Sequence, residues 1–245
     1  MQEKTLFKHT SPRLVKAATP AEPHHPLVEP SLFYDPPYER PLEDEFAWHL
    51  VKYLEPISGL QYQVRIETPC ANVWVDFVIE HGARRIGFEI GGLEEGAEQD
   101  TLPDELAYRD ALVLGSGALD VLYRFRGGDL MHRLHDALLV AAAWDRTLFS
   151  QRGRINLNTL ASPEARACRP RPQDTVARIS YETPAMTEEM EGDAFAYPSP
   201  DMPTELVVRR LSRANPGAWL RIYDDALTHY GVTDDAIGRQ WAKSA

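Results

Sequence analysis

The chain has 245 residues, enough for one domain with a sizeable core plus extensions, and it carries 37 Asp and Glu against 26 Lys and Arg, a formal net charge of −11. That balance argues against a protein built chiefly to hold phosphate backbones, which needs Lys and Arg, and no stretch has the apolar length to cross a membrane. Two separated cysteines, Cys70 and Cys168, make no disulfide framework, and the N-terminus has no continuous apolar segment of signal-peptide type, so a cytoplasmic protein with no membrane partner is expected.

In chain order, residues 1–40 read as a Pro-rich arm, in which Pro12, Pro20, Pro23, Pro26, Pro30, Pro36 and Pro37 rule out a long helix. Phe33, Tyr34 and Tyr38 suggest that its last part docks onto the adjoining domain. Leu42, Phe46, Leu50 and Leu54 recur at helical spacing and predict a helix over Glu43–Leu54, with acidic residues in its first turn, where the helix dipole favours them. Gln61–Thr68 reads as a strand. Val73–Glu80 and Arg85–Ile90 read as a hairpin around His81-Gly82. Asp104–Leu114 is a short helix stopped by Gly115 and Gly117. Leu119–Phe125 alternates as a strand, and a helix with Asp129 as N-cap runs to about Ser150. The order α-β-β-β-α-β-α over residues 41–150 makes one α/β domain, and this segment is strongly acidic, with nineteen Asp and Glu against nine Lys and Arg. In the extension, residues 151–245, Pro163–Pro172 reads as loop, Thr175–Tyr181 as a strand, and Pro184–Pro203 has little pattern. Helices over Pro216–Tyr230 and Thr233–Lys243 make the extension mostly helical by expectation.

The chemistry-bearing stretch is VWVDFVIEHGARRIGFEIGG, Val73 to Gly92. Asp76 is the one charge in Val73–Ile79 and Glu89 the one charge in Ile86–Ile90. A buried carboxylate is costly unless a cation or hydrogen bonds compensate it, and two on neighbouring strands suggest a shared ion such as Mg²⁺. Without such an ion, the two carboxylates raise each other's proton affinity. A plainer role is open for Asp76, capping backbone N–H groups of a neighbouring turn. Glu43, in a helix's first turn, needs no function at all.

Five motifs in order carry a resemblance over roughly residues 41–143. They are Pro41-Leu42-Glu43-Asp44-Glu45-Phe46, Val75-Asp76-Phe77, Phe88-Glu89-Ile90-Gly91-Gly92, Tyr108-Arg109-Asp110-Ala111-Leu112 and Val121-Leu122-Tyr123-Arg124-Phe125. Together they resemble the PD-(D/E)XK nuclease superfamily, in its compact branch related to the very-short-patch-repair endonuclease. The resemblance implies a restriction-endonuclease-like fold and Mg²⁺-dependent cleavage of DNA. Asp76 and Glu89, with the Ile90 carbonyl, would hold the metal, and Glu43 would be an outer ligand or water-positioning base. The last signature position, a Lys, Asp or Glu in the superfamily, is Gly91 here, and the His common in the following loop is missing. Arg85 or Arg109 would then stand in as the positive group.

Two functions follow as expectations. One is a nuclease-derived, DNA-acting protein whose Mg²⁺ site is incomplete. The other is a non-catalytic scaffold for a protein partner, built on the same fold. Arg209, Arg210 and Arg213, ahead of Trp219 and Tyr223, form a basic patch suited to nucleic acid, or simply surface arginines paired with local carboxylates. His132 and His135, three apart on one helix, suit a metal or, more simply, solvent.

Overall fold

A computed structural model describes residues 41–55, 59–91, 104–181 and 204–232 of the chain. The six strands are β1 (Gly59–Glu67), β2 (Asn72–His81), β3 (Arg84–Ile90), β4 (Val121–Phe125), β5 (Val176–Ser180) and β6 (Glu205–Ser212). They form one mixed sheet in the order β1-β2-β3-β4-β6-β5. The first three make an antiparallel meander, and β4 lies parallel beside β3. Parallel neighbours need a crossover, and the chain between β3 and β4 carries helix α2 (Asp104–Gly115). β6 runs antiparallel to β4, and β5 closes the far edge.

One face of the sheet is covered by α1 (Pro41–Tyr53), α3 (Gly127–Trp144), α4 (Gln151–Leu160) and α5 (Pro163–Ala167), the other by α2 and α6 (Leu220–His229). With helices on both sides, the central strands are buried on both faces rather than on alternate residues, and all five residues of β4 are buried. Phe46 of α1 is fully buried, its ring centroid 5.5–5.8 Å from those of Phe77, Phe88 and Phe125 on three successive strands. Truncating such a ring costs about 3–5 kcal/mol, so this cluster fixes α1, and with it Glu43, against the sheet.

The β1–β2 ribbon changes faces in mid-course. Leu60, Tyr62, Phe77 and Ile79 pack in the layer of α1 and α3, whereas Val64, Ile66, Val73 and Val75 pack in the layer of α2 and α6. Strict alternation would keep Tyr62 with Val64, and Val75 with Phe77, on one face. The reversal falls at Gln63 and Asp76, and the register on either side is unchanged, with Tyr62 opposite Phe77 and Val64 opposite Val75. Gln63 has a φ of 49°, the one positive φ at a non-glycine among the described residues, and its Nε2 donates to Asp76 Oδ1 at 3.0 Å. Both strands turn over at the same rung, so no residue is left over.

The extension from residue 151, expected to be mostly helical, also supplies β5 and β6, which complete the sheet. β6 reads Glu-Leu-Val-Val-Arg-Arg-Leu-Ser, and its two arginines disguise a strand whose alternate residues meet different helices. The expected loop at Pro163–Pro172 contains α5, N-capped by Ser162. Helix α3 starts at Gly127 rather than at an Asp129 cap. Asp129 is fully buried and accepts from Arg126 Nε at 2.8 Å and from the Val207 N–H at 3.0 Å, which ties the helix start to β6. Ser150, expected to end that helix, instead caps α4 by accepting from the Gly153 N–H. At Gly153 any Cβ would lie 2.2 Å from the Tyr53 carbonyl oxygen, so the close seating of α4 on α1 demands glycine. The arm at residues 1–40, the stretch 184–203 and the helix expected over Thr233–Lys243 lie outside the described residues.

Candidate functional site

Asp76 and Glu89 sit where β2 and β3 part company. The ladder between these strands ends at Phe77 opposite Phe88. One step further, the Asp76 carboxylate takes over what the backbone no longer does, with Oδ2 accepting the Ile90 N–H at 2.8 Å. With Gln63 on Oδ1, both oxygens of Asp76 are engaged. This is the backbone-capping role, here directed at the neighbouring strand rather than at a turn.

Glu89 points to the α2 side and is buried, 4% exposed. Its Oε1 accepts from Arg109 Nη2 at 2.7 Å, and the same nitrogen also donates to the Trp74 carbonyl. The next strands continue the row, because Glu89 is in register with Arg124 on β4, and Arg124 with Arg209 on β6. From α2, Asp110 meets Arg124 in a two-pronged pair, 2.5 and 3.1 Å, with both side chains buried. Arg124 Nη1 donates in addition to the Gly91 carbonyl at 3.2 Å. Two carboxyls and three guanidiniums therefore interleave across three strands and one helix, and the compensation comes from within the chain.

Burial is the largest influence on Glu89. It pushes the carboxyl up to about 8 from 4.5, while Arg109 and Arg124 pull it down and Asp76 and Asp110 push it further up. The neighbouring carboxylate expected to cause such a rise is a secondary contributor. Arg124 is held above its usual value: burial works against its charge, and Asp110, Glu89 and Asp76 more than restore it.

Glu43 is buried on the α1 side, and its Oε2 accepts from the Tyr62 hydroxyl at 2.8 Å. Gly91 has a φ of +100°, and nothing lies within 4 Å of where its Cβ would be. Space for a side chain exists there, but the backbone is one that L-residues rarely adopt. Among the described residues, no group of three or more His, Cys, Asp and Glu converges as a metal site. Arg85 lies away from this cluster, its backbone N–H on Asp120 and its Nη1 on the Ala118 carbonyl.

The three arginines read as one patch divide across the sheet. Arg209 and Arg210 are consecutive on β6 and so face opposite ways. Arg209 joins the row with Arg124, whereas Arg210 is buried on the other face, its Nε 3.2 Å from Asp145 Oδ2. Burial raises the Asp145 carboxyl, but the Tyr123 hydroxyl at 2.5 Å, Arg210 and Arg84 together hold it below the usual carboxylate range. Arg213 donates to the Gly117 carbonyl. His132 is exposed, while the ring of His135 lies 4.9 Å from that of His49 on α1.

Compared with protein-family models, curated proteins and solved structures, the chain matches none. The site residues that sequence reasoning missed are Asp110 and Arg124. Arg124 is the one charge in the five-residue strand VLYRF, the same signal that singled out Asp76 and Glu89.

Proposed function

We propose that this chain is a nuclease-derived α/β domain of the PD-(D/E)XK type in which phosphodiester hydrolysis has given way to a binding role. The observation that carries the reading is the Arg109 guanidinium on Glu89, together with an Asp76 whose two oxygens are both spent on Ile90 and Gln63. Support for the ancestry comes from the element order α1-β1-β2-β3-α2-β4, with β4 parallel to β3, and from Asp76 and Glu89 lying at the point where β2 and β3 diverge.

The donor set does not suit Mg²⁺. That ion wants a near-octahedral shell of oxygens at about 2.0–2.1 Å, and here it would have to evict a guanidinium already bonded to Glu89. The last signature position gives no group to position water either, because Gly91 offers no side chain. In phosphoryl chemistry the loss of such positioned charge costs orders of magnitude in rate. A chain whose Asp76 and Glu89 are both already bonded from within is suited to binding rather than to hydrolysis.

The test is cleavage of single- and double-stranded DNA in Mg²⁺ or Mn²⁺, together with calorimetric titration of either ion. The expected result is no metal-dependent cleavage and no stoichiometric ion binding. Cleavage by the wild-type chain that Asp76→Ala abolishes would overturn the proposal and make the protein a working nuclease.

A further inference from the structure

An arginine-rich region lies on the far side of the sheet from Glu89. Residues 146–171 contain six arginines, Arg146, Arg152, Arg154, Arg166, Arg169 and Arg171, against one acid, Glu164, in a chain of net charge −11. Arg171 is neutralised by Asp174, Nη2 to Oδ1 3.0 Å. Among the described residues, none of the other five forms an ion pair.

Four of these arginines line two adjoining cavities on α4 and α5. The larger, about 460 Å³, is walled by Arg146, Arg154, Arg166 and Arg169 and floored by Leu139, Ala142 and Ala143 of α3. The smaller, about 330 Å³, shares Arg146, Arg154 and Asn158 with it and continues past Gln151 and Thr159. The shared residues make the two cavities one track.

Two of the guanidiniums are set in place by the backbone. Arg154 Nη1 donates to the Arg146 carbonyl at 2.8 Å and to that of Phe149. Arg169 Nη1 donates to the Cys168 carbonyl at 2.7 Å and to that of Arg166. Each has one nitrogen anchored, and the remaining donors of a planar fork are ordered in advance for an oxyanion. Ordering of this kind cuts the entropy lost on binding.

We propose that this track binds single-stranded nucleic acid through successive phosphates. Arg166 and Arg169 stand at one end and Arg146 and Arg154 at the middle, so the charges are spread along a path rather than focused on one anion. Asn158 and Gln151 add amides that both donate and accept, as sugar hydroxyls and base edges require. The small apolar floor suits a sugar or base face. A single strand can lay its unpaired bases on that floor, whereas a duplex keeps its bases stacked inside. The inference stands on this track alone and holds whether or not the fold descends from a nuclease.

The test uses the full chain in EDTA, so that cleavage plays no part, with fluorescence anisotropy of a labelled mixed-sequence 20-nucleotide DNA and of its RNA counterpart. Saturable binding is expected, tighter than for the matching duplex. Affinity should fall with salt at a log–log slope of about −3, as four arginine contacts to a single strand imply. The double change Arg146→Glu with Arg166→Glu should weaken binding at least tenfold, and the milder Arg146→Gln with Arg166→Gln pair should weaken it less in the same direction, should the reversal disturb folding. Arg65→Glu, at an exposed position of β1, should leave affinity unchanged. The proposal is overturned by any of three results. These are no binding at 50 mM salt, equal loss with Arg65→Glu, or tighter binding of oligoglutamate or of anionic lipid vesicles than of the oligonucleotide.

Discussion

Replacing Glu89 with glutamine isolates the cost of keeping a carboxyl on the α2 face of the sheet. Burial pushes this carboxyl up to about 8, so between pH 4.5 and about 8 the folded chain holds a proton that the unfolded chain has released. Its contribution to stability is therefore complete below pH 4.5 and is lost as pH rises through the folded value. At about 1.4 kcal/mol for each tenfold change in proton affinity, the whole window corresponds to a loss of about 5 kcal/mol. Glutamine has the same shape, keeps an oxygen for Arg109 and has no proton to lose. Urea unfolding from pH 4.5 to 9 should therefore give nearly equal stabilities at the acid end. At pH 9 the Glu89→Gln chain should be the more stable, by about 2–5 kcal/mol. A gap between the two proteins that does not change with pH would refute the reasoning, since it would mean that Glu89 ionises as easily inside as outside.

Two further outcomes concern buried charge and buried imidazole. Asp110→Asn strips the two-pronged partner from buried Arg124 and should cost about 3–5 kcal/mol in the same unfolding assay, and a loss under about 1 kcal/mol would mean that Glu89 has taken over the role. Burial lowers the affinity of His49 and His135 for protons below the ordinary 6.5, so stability should decline as pH falls below 6.5, where the unfolded chain takes up protons that the folded one resists. That decline is best read in the Glu89→Gln background, which removes the opposing trend, and exchanging both histidines for phenylalanine should flatten it.

The core of the fold was legible where periodicity and burial agree. Phe46, Leu50 and their spacing placed α1, and the isolated charges in two apolar runs located Asp76 and Glu89 on adjacent strands. What escaped were features set by partners distant in sequence. The α2 helix supplies Asp110 for Arg124 beside the expected Arg109 for Glu89, and only the parallel crossover reveals that these four meet. In β6, Arg209 and Arg210 resemble a surface patch because a strand with a charged residue on each face has no apolar signature of its own; each arginine is accommodated by a different layer. The arginines of residues 146–171 are spread over 26 positions and gather only when α4 folds back on α3. Gly91 was legible as a glycine two places after Glu89, but its positive φ, which disfavours any side chain there, was not.

The reversal of β1 and β2 at Gln63 and Asp76 has an evolutionary consequence. Along the chain, Leu60, Tyr62, Val64 and Ile66 form an unbroken alternation, so nothing in the pattern marks a boundary. In space, the first two answer to α1 and α3, and the last two to α2 and α6. Substitutions at Leu60 and Tyr62 should therefore be compensated in one pair of helices and those at Val64 and Ile66 in the other. Among descendants of this chain, covariation would divide a single strand into two inheritances that meet at Gln63. Gln63 and Asp76 would have to change together or not at all.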